Sequence, residues 1–353
     1  MNTPLDAATA LNRFGLGARP DEPTPADPRG WLLAQLQAPP PNPAWATQPT
    51  TAQTVAQTLE AQRSVREAAT PEAQQAAREA VNRQVRASYQ AAVQARASGA
   101  LMASAPFGER LVHFWANHFA LSVERNEVQA LAGAFEAEAI RPHVMGRFED
   151  LLVAAEHHPA MLQYLDQTAS VGPNSPAMRR AQRPRGLNEN LARETMELHT
   201  LGVRSGYSQA DVTEYARALT GWGMAGATPG KQDLVLANGA AFHPQLHEPG
   251  ARAVLGRSYP DSGMRQSADV LHDLSTTPAT AEHLCAKLAR HFVADQPPPT
   301  LVQRMTEAWL RSRGDLPTVY RTLIDAPEAW ASTPAKFKTP WDWAISSARG
   351  LGW

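Results

Sequence analysis

Apolar residues recur every three or four positions over most of the chain, the spacing that places them on one face of an α-helix. Residues 51–104 carry this period weakly, within an Ala-, Gln-, Arg- and Glu-rich stretch with no glycine before Gly99. The break at Thr70-Pro71 splits that stretch into two helices, because proline suits the first turn of a new helix. An antiparallel hairpin that faces water over much of its length follows. From Phe107 the pattern strengthens: "LVHFWANHF" offers Leu111, Phe114, Trp115 and Phe119 for burial. Further helices are expected at 127–140, 147–156, 159–166, 209–220, 264–275, 278–294, 300–313 and 315–325. Between 226 and 260 the helical period disappears, and Asn238-Gly239 signals the turn of a small β-hairpin.

The pattern thus predicts a mainly α, multi-helix globular domain with a protruding helical hairpin and one small β-hairpin. It divides the chain into a proline-punctuated N-terminal arm (1–50), the hairpin (51–106), a helical core (107–225), a β-hairpin or loop insertion (226–260) and C-terminal helices (261–353). Residues 167–186 have loop composition and are longer than an ordinary connection.

Composition narrows the function classes. With 353 residues the chain can bury a large core without staples, and a formal charge of −1 provides no global field for nucleic acid or anionic membrane. The single cysteine, Cys285, excludes a disulfide framework and reads as core packing. Neither a signal-peptide pattern nor an apolar run of membrane-spanning length occurs. The expectation is a protein of the cytoplasm that does not insert in a membrane, with export beside a partner left open.

Chemistry concentrates in "NENLARETMELHTLG", residues 188–202. On an ideal helix, Glu189, Asn190, Arg193, Glu194 and Glu197 share an arc of about 140°, with Leu191, Ala192, Thr195, Met196 and Leu198 opposite. Two readings stand. Arg193 lies four residues from both Glu189 and Glu197, so surface ion pairs account for much of the charge. Alternatively the three glutamates line a cleft as metal ligands or as an acid–base set. His199 lies about 80° outside the arc, so its Glu-x-His spacing from Glu197 is a weak ligand pattern.

Elsewhere, His118 sits beside Trp115 and Phe119 and reads first as a buried, hydrogen-bonded histidine. His247 lies in a loop with no evident core to pack into, which favours a functional role. Arg179, Arg180, Arg183 and Arg185 form a basic loop, either solvated or an anion clamp. Ser208 and Asp211 have the spacing of a capping box. The helix from Gln209 offers only Arg217 as a cation, so a DNA-binding helix pair is set aside. Phosphate-loop, nucleophile-elbow and His-Glu-x-x-His motifs are absent from the sequence.

Several segments together resemble the bacterial family known as domain of unknown function 1800 (DUF1800). They are "LNRFGLG", "FWANHF", "MLQYLD", "GLNENLARETMELHTLGV", "GYSQADVTEYARALTGW", "HEPGARAVLG", "KLARHFVADQPP" and "KFKTPWDW". They run nearly end to end, and the "NEN" segment is the most specific. The resemblance implies no defined activity. It does imply that Asn188, Glu189, Asn190, Arg193, Glu194, Glu197 and His199, with His118, Trp222 and His247, form a defined polar set. It further implies a partner resembling sulfatases and phosphatases, encoded nearby, and a helical portion beyond "KFKTP" longer than the one ending at Trp353.

Two functions follow as expectations. The first is an enzyme with a polar acidic cleft, performing hydrolysis or oxidation with a divalent metal on Glu194 and Glu197. Its catalytic set would be Glu189, Arg193, Glu194, Glu197 and His118, with Asn188, Asn190, His199, Trp222 and His247 binding ligand. The alternative is a non-enzymatic helical accessory module in which the polar helix is an ion-pair network and the hairpin docks the phosphatase- or sulfatase-like partner.

Overall fold

The computed structural model describes residues 4–353 apart from 41, 182–185, 227–232 and 334. Short helices α1 (Pro4–Thr9) and α2 (Pro28–Ala34) open the chain, and Asp27 caps the latter by accepting from the Gly30 N–H. The hairpin is α3 (Thr51–Glu67) and α4 (Pro71–Leu101). Its limits follow from local chemistry: Thr50 and Gln53 form a reciprocal capping box, and Thr70 caps α4 with Pro71 in the first turn. Only the base of the hairpin is buried, through Thr51, Thr54 and Val55 on α3 and Ala92, Ala95 and Ala100 on α4. The remainder projects outward.

The core is built around α5 (Pro106–His118), α6 (Asn126–Phe135), α7 (Phe148–Glu156) and α8 (Pro159–Tyr164). Phe107, Leu111, Trp115 and Phe119 are fully buried. Burying Trp115 requires a partner for its indole N–H, and Tyr320 Oη accepts it at 2.6 Å, then donates to the Val144 carbonyl at 3.0 Å. Where α6 crosses α4, a Cβ on Gly133 would stand 2.5 Å from the Ala92 methyl, so only glycine permits the approach.

The polar segment forms α9 (Asn190–Glu194), which continues into a π-turn over Thr195–His199, followed by α10 (Gln209–Leu219). The Ser208–Asp211 capping box is present. Strands β1 (Trp222–Met224), β2 (Leu234–Val235) and β3 (Ala240–Phe242) make an antiparallel sheet in the order β1-β3-β2. The expected hairpin is β2–β3, with Gly239 at φ +83°. A second hairpin, β4 (Arg252–Val254) and β5 (Arg257–Tyr259), turns through Leu255 and Gly256, both at positive φ. Its Leu-Gly turn lacks the Asn-Gly signature, and the sequence reading did not find it.

Helices α11 (Arg265–Ser275), α12 (Pro278–Phe292), α13 (Pro299–Ser312), α14 (Leu316–Asp325) and α15 (Pro340–Gly350) complete the fold. Two buried arginines join its ends. Arg110 Nη1 donates to the carbonyls of Asn12, Arg13 and Gly15, while Nη2 lies 3.4 Å from Asp342. Arg349 donates to the carbonyls of Gly17, Ala100 and Leu101 and to Glu22. The "LNRFGLG" and "KFKTPWDW" segments are therefore two halves of one buried hydrogen-bond system. Among the described residues no helix is long and apolar enough to cross a membrane.

Candidate functional site

The acidic arc is organised by Arg193. Its Nη2 donates to Glu189 Oε2 at 3.1 Å and Gln209 Oε1 at 2.9 Å, and Nη1 lies 3.7 Å from Glu197 Oε1. Glu189 also accepts from Thr213 at 2.6 Å and Gln209 at 2.8 Å. The Thr213 bond, opposed by partial burial and reinforced by Gln209 and Arg193, holds this carboxyl below its usual range. Glu197 faces the Tyr207 hydroxyl, whose pKa rises through burial and then through that carboxylate. The Glu194 side chain makes no hydrogen bond or ion pair among the described residues.

Asn188 is a brace. Its amide donates to the carbonyls of Leu165 and Asp166 at 3.2 and 3.0 Å, and its Oδ1 accepts the Asn190 N–H at 2.9 Å. This pins the turn at Asp166, a non-glycine residue held at φ +55°. The Asn190 side chain is exposed. Among the described residues no group of three or more His, Cys, Asp or Glu side chains stands close enough to hold a metal. The expected ligands Glu194 and Glu197 thus have no third donor there.

The inner face of the same segment carries a second polar system. In a π-turn the hydrogen bond runs from i to i+5, so side chains beyond Glu194 no longer follow the 100° wheel. The Thr195 carbonyl accepts the Thr200 hydroxyl at 2.7 Å. Thr195 Oγ1 lies 3.0 Å from Glu156 Oε2, and His199 Nδ1 lies 2.6 Å from Glu156 Oε1. Glu156 has no exposed surface. His199 Nε2 has no hydrogen-bond partner among the described residues.

His118 stands beside this pair, its ring centroid 5.9 Å from that of His199. Its Nε2 donates to the His199 carbonyl at 3.1 Å, since a carbonyl only accepts, leaving Nδ1 to accept from Lys287 Nζ at 2.8 Å. Burial, followed by the charge of Lys287, pushes the His118 pKa well below the ordinary histidine value. The order Lys287–His118–His199–Glu156 runs through the domain from α12 to α7.

Trp222 and His247 occupy a different neighbourhood. Trp222 stacks on His157 with centroids 4.0 Å apart, and Ser267 Oγ accepts its indole N–H at 2.8 Å while lying 3.1 Å from His157 Nε2. His247 is only 6 % exposed, its ring 5.2 Å from Phe242 and its Nδ1 2.8 Å from the Thr220 carbonyl. The expectation that this loop histidine lacks a core is therefore corrected: β3 and the end of α10 supply one. Next to it, Glu248 accepts from the Asn174 backbone and side chain at 2.7 and 2.6 Å, tying the 167–186 loop to the "HEPG" segment. Arg179 and Arg180 are exposed, while Arg183 and Arg185 lie outside the described residues.

Of the residues selected from the sequence, the fold brings His118 and His199 together and groups Glu189, Arg193 and Glu197. His118 and His199 are buried, whereas Glu189, Arg193 and Glu197 are partly exposed. Sequence reasoning missed Glu156, Lys287 and His283. Glu156 carried only a partial signal: it follows Leu152 by four residues towards the buried face of α7, but Glu149, seven residues earlier, shares that line and is only partly buried.

Fold and site together define a mainly α domain with a projecting helical hairpin and an internal Lys–His–His–Glu system. Residues 9–352 match the family described as "Protein of unknown function (DUF1800)", nearly the whole chain, and the chain belongs to that family. No curated protein and no solved structure matches it.

Proposed function

We propose that the protein is a helical accessory module that docks a partner protein on the α3–α4 hairpin. The observation that carries this reading is a groove of about 390 Å³ between α3, α4 and α6. Its wall is formed by Ala61, Val65, Val81, Val85 and Ala130, none of them fully buried, with Arg66 and Arg78 at the rim. Apolar surface that a domain leaves uncovered on a projecting element is what a partner helix buries on association. The Arg193 clamp supports the same reading, because it engages Glu189 and Glu197 within the segment itself. The partner that the family resemblance points to is the phosphatase- or sulfatase-like protein.

The test is co-expression with such a protein from the same genome, followed by co-purification and hydrogen exchange. Protection confined to residues 58–85, and loss of association in Val65→Asp and Val81→Asp with helicity unchanged, are expected. Association that survives both substitutions overturns the docking site.

One observation favours a second reading, an enzyme: the buried Glu156 that orients His199 and leaves Nε2 open, the arrangement of a general base. A panel of ester, amide and phosphoester substrates, assayed with and without divalent metal, tests it. Turnover lost in Glu156→Gln supports this reading, and absence of turnover in the wild type removes it.

A further inference from the structure

Helix α12 presents His283, Lys287 and Arg290 at i, i+4 and i+7 along one face, two cations and a histidine whose pKa burial and the charge of Lys287 lower. None of the three makes an ion pair with a carboxylate among the described residues. Asp295, which lies in the field of Arg290, is bound by Lys336, and Glu282, next to His283 on α12, is exposed. Lys287 is half-buried, and burial followed by the charge of Arg290 lowers its pKa. An ammonium has three N–H donors, and the His118 contact uses one.

His283 completes the arrangement. It faces the Leu198 carbonyl, while its Nε2 is sealed from solvent with no hydrogen-bond partner among the described residues. The chain reaches it through Gly202 at φ +90°, where a Cβ would lie 3.0 Å from His283 Nδ1. The flanking Leu198 and Val203 are 45 % and 61 % exposed, so the basic cluster has an apolar rim.

We propose that Lys287 and Arg290, backed by His283 and His118, form a binding site for an anionic ligand bearing a phosphate or carboxylate group. The reason is electrostatic. A half-buried ammonium with free donors and no anion of its own is costly, and a bound oxyanion offsets that cost with charge-assisted hydrogen bonds. Arg290 strengthens the field at the open end, and Leu198 and Val203 contact the apolar part of the ligand. This inference is independent of the hairpin reading, since it concerns a different face.

The test titrates inorganic phosphate, and separately acetate, into the full chain at constant ionic strength while histidine side-chain NMR signals are followed. Phosphate or acetate should shift His283 and His118 saturably, and the stronger of the two identifies the preferred head group. Lys287→Met should weaken binding about tenfold or more, the effect of losing a charge-assisted hydrogen bond. His283→Gln serves as the second variant if Lys287→Met does not fold. Signals unmoved by both anions overturn the site, as do shifts of equal midpoint in wild type and variant.

Discussion

The Glu156 carboxylate, fully buried, lies 2.6 Å from Nδ1 of His199, forty-three residues further along the chain. The contact joins the end of α7 to the π-turn after α9 and fixes which face of the "ELHTLG" segment looks inward. Removing one partner of a buried pair leaves the other uncompensated. Glu156→Ala should therefore cost about 3–5 kcal/mol of unfolding free energy. Glu156→Gln, which keeps an acceptor for Thr195, should cost less. Urea denaturation measures both, and a cost below about 1 kcal/mol for the alanine variant would contradict a structural role for the pair.

Glu109 sets an acid limit on stability. Burial raises its pKa, but the hydrogen bonds and charge of Arg141, with His113 Nε2 3.5 Å away, outweigh this and bring it down to about 2. The Arg141 nitrogens stand 2.6 and 2.9 Å from the carboxylate. A depressed carboxyl stabilises the fold above its unfolded pKa, ordinarily 4.5, and loses that contribution as pH falls towards 2. The depression corresponds to about 3 kcal/mol. Glu109→Gln should be less stable at pH 7 and should show a flatter stability profile between pH 4.5 and 2.

Two adjacent histidines act in a higher pH window. Burial alone pushes both His157 and His158 down to about 3. Both are neutral in the folded protein near pH 5, while an unfolded chain protonates them below about 6.5. Their contribution is complete above that value and is lost as pH falls from 6.5 to 3. Together they give a slope of about 2.7 kcal/mol per pH unit near pH 5. Imidazole NMR should find both rings unprotonated at pH 5. A midpoint near 6.5 for either would refute this.

Cys285 should be unreactive in the native state. Burial pushes its thiol up to about 12, opposed only by a hydrogen bond with Thr306. A thiol-specific disulfide reagent at pH 8 should label it only as fast as the protein unfolds. Immediate stoichiometric labelling would contradict that burial.

The acidic arc allows an internal comparison. Glu194→Gln removes a charge that has no partner among the described residues and should change stability by less than about 0.5 kcal/mol. Arg193→Ala disconnects Glu189, Glu197 and Gln209 and should cost up to about 1 kcal/mol. Metal analysis of the purified wild type, Glu194→Gln and Glu197→Gln decides whether the two glutamates bind a divalent ion. Metal content that falls in both variants would establish them as ligands.

Much of the fold was legible locally. Thr70-Pro71 marks the hairpin turn, Asn238-Gly239 marks β2–β3, and Ser208 with Asp211 marks the start of α10, because each depends on neighbours within four residues. Residues paired across long separations were not legible. Nothing near Arg110 or Arg349 in the chain announces that they bind the carbonyls of residues 12–17. The partners of His118 come from 81 and 169 residues away. Within the π-turn the helical wheel failed for Leu198, which it put on the apolar arc and which is 45 % exposed.

The sequence by itself determined the mainly α class, the hairpin, the first β-turn and the acidic arc threaded by Arg193. Periodicity, caps and i,i+4 pairs are properties of short segments and survive without the rest of the molecule. Only the tertiary structure decided that Glu156 meets His199, that Lys287 and His283 face the same segment, and that His247 is buried. Those relationships depend on which helix faces pack together, and that choice is made by the core as a whole.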